Sequence, residues 1–195
     1  MTTSSLKVPV LVGLLVVLLV TGSSPLTAVA SNPAPATAED YPTARTLDGP
    51  GIMSAPGTAW VPERRNKFSL WRPVGWGTQA RVKLAGVGDQ WVHIPIPYSP
   101  WLAGTTTYAF HVTFCAQSSN GAQTRPTRVD VWNDDTPIFT APVNWRADNS
   151  RQCWAGEFPR RLASSVSISV LLHFANTTDQ LTLMHAQVSF VPEGW

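Results

Sequence analysis

The chain has 195 residues, of which 14 are Lys or Arg and 12 are Asp or Glu, so its formal net charge is +2. This near-neutral balance gives no basic cluster for nucleic acid or for an anionic membrane surface, and both classes of partner are excluded. Apolar residues make up 44% and charged residues 13% of the chain. A disordered chain would show the opposite balance, so we expect a folded domain.

Residues 1–30 have the pattern of a secretory signal peptide. Lys7 supplies the positive start, residues 8–20 form the apolar run, and Ala28-Val-Ala30 supplies the small residues that signal peptidase needs. We expect cleavage after Ala30 and a secreted, extracellular protein. The alternative is an envelope-associated protein that keeps this segment as an anchor. The run is shorter than the roughly 20 residues of a spanning helix, which favours cleavage.

Residues 31–57 are rich in proline and alanine and show no apolar period, which predicts a flexible tether. From residue 58 to residue 195 the pattern changes to short strands between turns. The mature chain therefore reads as a tether followed by a single domain. No segment after residue 30 is apolar enough to cross a membrane.

Residues 58–61 and 67–71 are weak strand candidates, and residues 80–84 alternate strictly between apolar and polar. Gly86 to Asp89 reads as a turn that leads into a strand at 90–96, so we expect residues 80–84 and 90–96 to form an antiparallel hairpin. Pro95 and Pro97 cannot donate to a ladder, so this strand ends at a sheet edge or leaves the sheet.

The clearest core strand is 106–115, in which alternation predicts that Tyr108, Phe110, Val112 and Phe114 are buried. Residues 128–132 and 137–140 flank a turn at 133–136, which predicts a hairpin. Residues 141–160 read as a long polar loop.

Residues 165–175 alternate again, with Val166, Ile168, Val170, Leu172 and Phe174 on one face. The last strand, 180–191, changes parity, which a β-bulge near 184–186 would explain. No helix of ten residues with an apolar period follows residue 30. Eight or nine short strands separated by turns predict an all-β fold, an antiparallel β-sandwich of the jelly-roll type in preference to a closed barrel.

Both cysteines, Cys115 and Cys153, lie in the exported part of the chain. In an oxidising compartment two cysteines favour one disulfide bond. The less favoured readings are a metal pair or a catalytic thiol, and neither cysteine lies in a sequence motif typical of those sites. The disulfide would join the core strand to the 141–160 loop.

The residue pattern argues against an enzyme. There is no Gly-x-Ser-x-Gly motif, and Asp134 and Asp135 are adjacent in a predicted turn, not facing one cleft. Cofactors and metals are not expected either, because no histidines are spaced i, i+2 on one strand. The four histidines are His93, His111, His173 and His185.

The aromatic residues suggest a ligand site around the segment 90–101. If Val92, Ile94 and Ile96 face the core, Trp91 and His93 face outward; the competing orientation buries Trp91 and His93 instead. In the outward orientation, the prolines would end the strand pairing and place Tyr98 and Trp101 on an irregular rim. The 80–96 hairpin would bring Trp76 nearby. The candidate ligand-binding residues are Trp76, Trp91, His93, Tyr98 and Trp101.

At Trp91-Val-His93-Ile-Pro95-Ile-Pro97 the sequence resembles a family of small uncharacterised bacterial β-proteins that carry a Trp-x-His-Ile-Pro-x-Pro segment. The resemblance covers residues 68–191 and ends in strands like 167–174 and 183–190. It implies a β fold but no activity or site, because the family has no assigned activity. The cysteine pair and the Trp-rich segment 141–160 depart from its pattern.

The sequence is therefore interpreted as a secreted, non-catalytic β-sandwich that interacts with an unknown protein or is associated with the cell envelope. The first alternative is a carbohydrate-binding module with a polysaccharide partner, because sugars stack on exposed indole rings. The second is a secreted hydrolase, which the missing motifs disfavour.

Overall fold

A computed structural model describes residues 51–97 and 106–195. The described strands are Gly51–Ala55 (β1), Val61–Pro62 (β2), Phe68–Val74 (β3), Gly77–Val82 (β4), Gly88–Pro95 (β5), Thr107–Ser118 (β6), Arg125–Asn133 (β7), Thr136–Pro142 (β8), Arg151–Leu162 (β9), Val166–Phe174 (β10) and Leu181–Pro192 (β11). Three single-turn 3-10 helices connect some of them, at Gly57–Ala59, Arg65–Lys67 and Leu84–Gly86. In this part of the chain no helix is long and apolar enough to cross a membrane.

The strands form two antiparallel sheets. Sheet A has the order β3-β4-β11-β6-β9, and β1 also pairs with β11. Sheet B has the order β2-β5-β10-β7-β8. The predicted antiparallel β-sandwich is confirmed. The predicted hairpin at 133–136 is confirmed too, since Asn133 pairs with Thr136 between β7 and β8.

The core lies between the sheets and is built from alternate residues of the central strands. In β10, all five residues predicted to be buried are at most 2% exposed. In sheet A, Phe114 is fully buried, and its ring lies 6.2 Å from that of Trp145 and 5.8 Å from that of Trp154, centre to centre. Large apolar side chains thus fill the space between two twisted sheets.

Bulges change the burial that simple alternation predicts. The register of β6 shifts on both sides of Phe110, against β9 and against β11. Ala109 and Val112 are therefore fully buried, whereas Tyr108 and Phe110 are only partly buried. The bulge expected near 184–186 is confirmed, because the register of β11 against β6 shifts between Leu183 and Ala186.

The predicted hairpin between residues 80–84 and 90–96 is wrong. Strand β4 pairs with β3 and β11 in sheet A, whereas β5 pairs with β2 and β10 in sheet B. The chain crosses from sheet A to sheet B at the 3-10 turn Leu84–Gly86. Val82 before the turn and Val92 after it are both fully buried in the core. Gly86 permits this turn, since a Cβ there would lie 2.4 Å from the carbonyl oxygen of Lys67.

The segment expected to be a loop at 141–160 instead contributes most of β9, which forms an edge of sheet A. Four of its exposed side chains are charged, as is common on edge strands: Arg151, Glu157, Arg160 and Arg161. At the N-terminal end of the described residues, Gly51–Ala55 pairs with β11, so sheet pairing begins before residue 58, within the predicted tether. The predicted signal peptide, tether residues 31–50, Tyr98 and Trp101 lie outside the described residues.

Candidate ligand-binding face

Strand β5 determines which side chains face outward around the Trp-x-His segment. Val92 and Ile94 are fully buried and Ile96 is 4% exposed. Because successive side chains of a strand point to opposite faces, Trp91 and His93 lie on the outer face of sheet B, where both are partly exposed. The structure therefore has the first of the two predicted orientations, and the orientation that buries Trp91 and His93 is wrong.

The strand registers place further outward residues beside these two. One transverse row joins His93 of β5, Ser169 of β10 and Asp130 of β7. The next row joins Trp91, Leu171 and Arg128 of the same three strands. We call these two rows, together with Trp132 and Glu63, the Trp91 face.

Each row has one side-chain contact within it, and one hydrogen bond connects the two rows. Nδ1 of His93 lies 2.7 Å from Oγ of Ser169. The guanidinium of Arg128 lies 5.5 Å from the centre of the Trp91 ring, and its Nε donates to Oδ1 of Asp130 at 2.9 Å. Arg128 is about half exposed, so both contacts orient side chains more than they stabilise the fold.

The Trp91 face is concave. A hollow of about 240 Å³ is lined by Glu63, Trp91, His93, Asp130, Trp132 and Ser169. A second hollow of about 440 Å³ shares Glu63 and Trp91 and continues past Arg64, Asp89, Gln90 and Leu171. Both hollows therefore border Glu63 and the Trp91 side chain. The first of them combines two carboxylates, an imidazole and a hydroxyl group with two indole rings.

Burial lowers the pKa of His93 below its usual 6.5, and the nearby Glu63 carboxylate only partly opposes this effect. The imidazole is therefore neutral at pH 7 and has one donor nitrogen and one acceptor nitrogen. Such a ring can both give and receive a hydrogen bond at the edge of a ligand.

This pKa shift predicts an acid-side loss of stability. Because the folded pKa is depressed, the unfolded chain binds a proton more readily than the folded chain as the pH falls below about 6.5. The free energy of unfolding should then decrease more in the wild type than in His93→Asn, whose amide can still reach Ser169. Chemical denaturation at about pH 7.5 and about pH 5 measures the difference. Equal pH dependence in the two proteins would contradict it.

The other predicted site residues are not at this face. Trp76 lies in the turn between β3 and β4, in sheet A, because the hairpin that would have brought it near Trp91 does not form. Tyr98 and Trp101 are outside the described residues, so their place at the site stays a prediction.

Sequence reasoning missed the contribution of β7. Val129 and Val131 are fully buried, so Arg128, Asp130 and Trp132 face outward between and beside them. The alternation in Arg128-Val-Asp-Val-Trp132 indicated that these three share a face. Only the strand order shows that this face is also that of Trp91.

The remaining histidines lie in separate places. His173 contacts Asp89 at 2.8 Å, His111 lies 3.5 Å from Ser189, and Nε2 of His185 lies 3.5 Å from the sulfur of Cys115. Within residues 51–97 and 106–195, no group of three or more His, Cys, Asp or Glu residues is placed to hold a metal ion.

Comparison with known proteins finds no matching family model and no matching curated protein, so the resemblance to small bacterial β-proteins stays a prediction. Among solved structures, the chain is similar to the CBM36-1 domain of a multidomain xylanase from the hindgut metagenome of Trinervitermes trinervoides. The TM-score is 0.41 at 11% identity, over 71% of this chain and 95% of that one.

It is also similar to the C-terminal CBM6 of the laminarinase LamC from Zobellia galactanivorans, with a TM-score of 0.42, 7% identity, and coverage of 71% and 98%. A third structure, latent PorU from Porphyromonas gingivalis, has a TM-score of 0.38 at 12% identity and is matched over 13% of its own length. No residue of this chain is equated with a residue of these proteins.

Proposed function

We propose that the Trp91 face binds a carbohydrate and that the chain acts as a non-catalytic carbohydrate-binding module. One observation carries the proposal: two partly exposed indoles, Trp91 and Trp132, line one hollow together with the polar side chains of Glu63, His93, Asp130 and Ser169. This combination suits a ligand with flat apolar faces and a rim of hydroxyl groups.

Each part of a sugar has a counterpart on this face. The apolar C–H face of a pyranose packs against an indole ring, as other flat apolar groups do. The carboxylates of Glu63 and Asp130 accept hydrogen bonds from hydroxyl groups, and the neutral imidazole of His93 can donate or accept. Amphipathic recognition of this kind requires both types of group in one hollow, and the Trp91 face has them.

The face is also ordered before a ligand arrives. Asp130 and Ser169 are 3% and 4% exposed and lie on the central strands β7 and β10. The bond from Arg128 holds the Asp130 carboxylate, and the contact with Ser169 holds the imidazole of His93. Binding then costs little additional side-chain ordering.

The Cys115–Cys153 disulfide supports a location outside the cytoplasm, because such bonds persist in oxidising compartments. Together with the predicted signal peptide, it supports the proposal that the protein acts outside the cell, where polysaccharides of walls and matrices are accessible.

Removing the Trp91 indole should weaken sugar binding at least about tenfold, because truncating a central Trp anchor typically costs more than 1–2 kcal/mol of binding free energy. The measurement is a glycan array, followed by titration calorimetry on the best oligosaccharide, with the mature protein and Trp91→Ala. Trp195→Ala is the matched control, since it removes an exposed indole that follows β11 of sheet A, whereas Trp91 is on sheet B.

Retained binding in a folded Trp91→Ala protein would contradict this site. Failure of the wild type to bind any sugar would instead favour a protein or envelope partner. Release of reducing sugar from a bound polysaccharide would show a hydrolase.

A further inference from the structure

A second aromatic side chain is presented on the opposite sheet. Trp76 lies in the turn between β3 and β4 and is 56% exposed. Gly77 packs so closely on β11 that a Cβ there would lie 2.4 Å from the carbonyl oxygen of Leu183. Beside it, the Thr78 hydroxyl donates to the carbonyl of Gly57 at 2.8 Å. These contacts fix the backbone that carries the exposed indole.

Polar side chains lie next to this indole in one row. Gln79 of β4, Thr182 of β11 and Gln117 of β6 are directly paired across the outer face of sheet A. With Trp76, Ser118, Ser119 and Gln180 they line a hollow of about 270 Å³. This hollow and the residues around it are called the Trp76 hollow.

Every described residue that lines the Trp76 hollow is uncharged. Oε1 of Gln79 accepts from Arg72 at 2.7 Å, and Oε1 of Gln180 accepts from Arg81 at 3.3 Å. Nε2 of Gln117 donates to the carbonyl of Asn149 at 3.1 Å. These bonds set which end of each amide is the donor, so the amide groups are oriented as well as concentrated.

From this geometry we propose a second carbohydrate site at the Trp76 hollow, specific for neutral sugars. Amides donate to and accept from hydroxyl groups, and the exposed indole provides a stacking plane. The lining carries no charged side chain, and the two neighbouring guanidinium groups, those of Arg72 and Arg81, already donate to Gln79 and Gln180. The remaining amide donors and acceptors therefore match the hydroxyl groups of a neutral sugar. The volume lies just below the range of about 300–1,000 Å³ typical for drug-sized ligands, so the hollow itself takes about one sugar ring, and the rest of a polysaccharide chain would extend outside it.

The two sites lie on opposite outer faces, because Gln79 and Thr182 belong to sheet A and Trp91 to sheet B. The packed core separates them, so one sugar ring cannot contact both. The chain is therefore bivalent and can hold two polysaccharide strands, which raises its retention on a polymer well above that of either site. This inference rests on the proposed carbohydrate-binding function and adds a ligand class and a second site.

The test compares the mature wild type with Trp76→Ala, Trp91→Ala and the double variant. Each is run by affinity electrophoresis through gels containing hydroxyethyl cellulose, glucomannan or dextran, at about 0.05 M and about 0.5 M NaCl. We expect Trp91→Ala to keep salt-insensitive retardation by at least one polymer, and the double variant to lose at least about tenfold of that affinity. Gln117→Leu should weaken the same binding without removing the indole.

Equal retardation of the double variant and Trp91→Ala in every gel would overturn the second site, as would no retardation of the wild type. If Trp91→Ala matches the wild type while Trp76→Ala does not, the Trp91 face fails and the Trp76 site stands.

Mixing each protein with the soluble polymer tests bivalency. Wild type should precipitate the polymer, whereas each single variant should bind without precipitating it; precipitation by Trp76→Ala would overturn bivalency through this hollow.

Discussion

Truncating Phe114 to alanine should lower the free energy of unfolding by about 3–5 kcal/mol. Phe114 has no exposed surface and lies on β6, between β11 and β9 in sheet A. Its ring is stacked on Trp145 at an interplanar angle of 9° and also contacts Trp154. The two large indoles cannot move fully into the space that the Phe114 ring vacates. The free-energy cost of the remaining cavity therefore adds to the cost of the lost apolar burial.

Phe110→Ala is the matched control, because it removes the same side chain from the same strand. Phe110 is only partly buried, at the shift in register between β6 and its two neighbours. Truncating Phe110 should lower the free energy of unfolding by less than half as much as truncating Phe114. Chemical denaturation of both variants at one pH gives the two values. Equal losses would mean that the bulge does not turn Phe110 from the core.

This pair also shows where alternation in the sequence succeeds and fails. Strand β10 contains an uninterrupted period-two pattern, and its apolar residues are buried as predicted, despite a shift against β7. Strand β6 carries the same pattern from Tyr108 to Phe114, but the bulge at Phe110 changes the parity. Ala109 is apolar as well as Tyr108 and Phe110, so the sequence before the bulge fits burial of either face of the strand. It therefore contains no sign of the shift.

Long-range pairing was the least predictable feature. Gly86 and Gly88 fit a hairpin turn as well as they fit a connection between sheets. Only the strand pairing decides between them, since β4 pairs within sheet A and β5 within sheet B. Strand β9 was missed because, at a sheet edge, few of its side chains contact the core. Its sequence accordingly lacks the apolar alternation that marks a central strand.

The candidate site also has one part that the sequence predicted and another part that it did not. The outward direction of Trp91 and His93 follows from the apolar set Val92, Ile94 and Ile96, which lies in the same strand. The partners Asp130, Arg128 and Trp132 come from β7, separated from β5 by β10 in sheet B. Nothing local in either segment indicates this neighbourhood, because strand order depends on the whole fold.

The disulfide is a feature that the sequence alone predicted correctly, because the chain has two cysteines and the predicted export to an oxidising compartment leaves them only each other to pair with. Cys115 and Cys153 are bonded, 38 residues apart in sequence. They lie directly opposite each other on β6 and β9, so the bond connects two strands and not the core strand and a loop. Cys115 is buried and Cys153 is exposed, so replacing both with alanine removes little packed surface.

The double variant Cys115→Ala/Cys153→Ala should lose about 4 kcal/mol of unfolding free energy, the value that the chain-entropy model gives for a loop of about 39 residues. In the folded state the β6–β9 ladder already holds the two strands together. The bond therefore acts chiefly by restricting the unfolded chain, which raises the unfolded state's free energy. Denaturation curves of the variant and of the wild type measure the loss, and the wild type in excess reductant should fall to the variant's value. A loss below about 1 kcal/mol would show that the unfolded chain keeps these strands close without the bond.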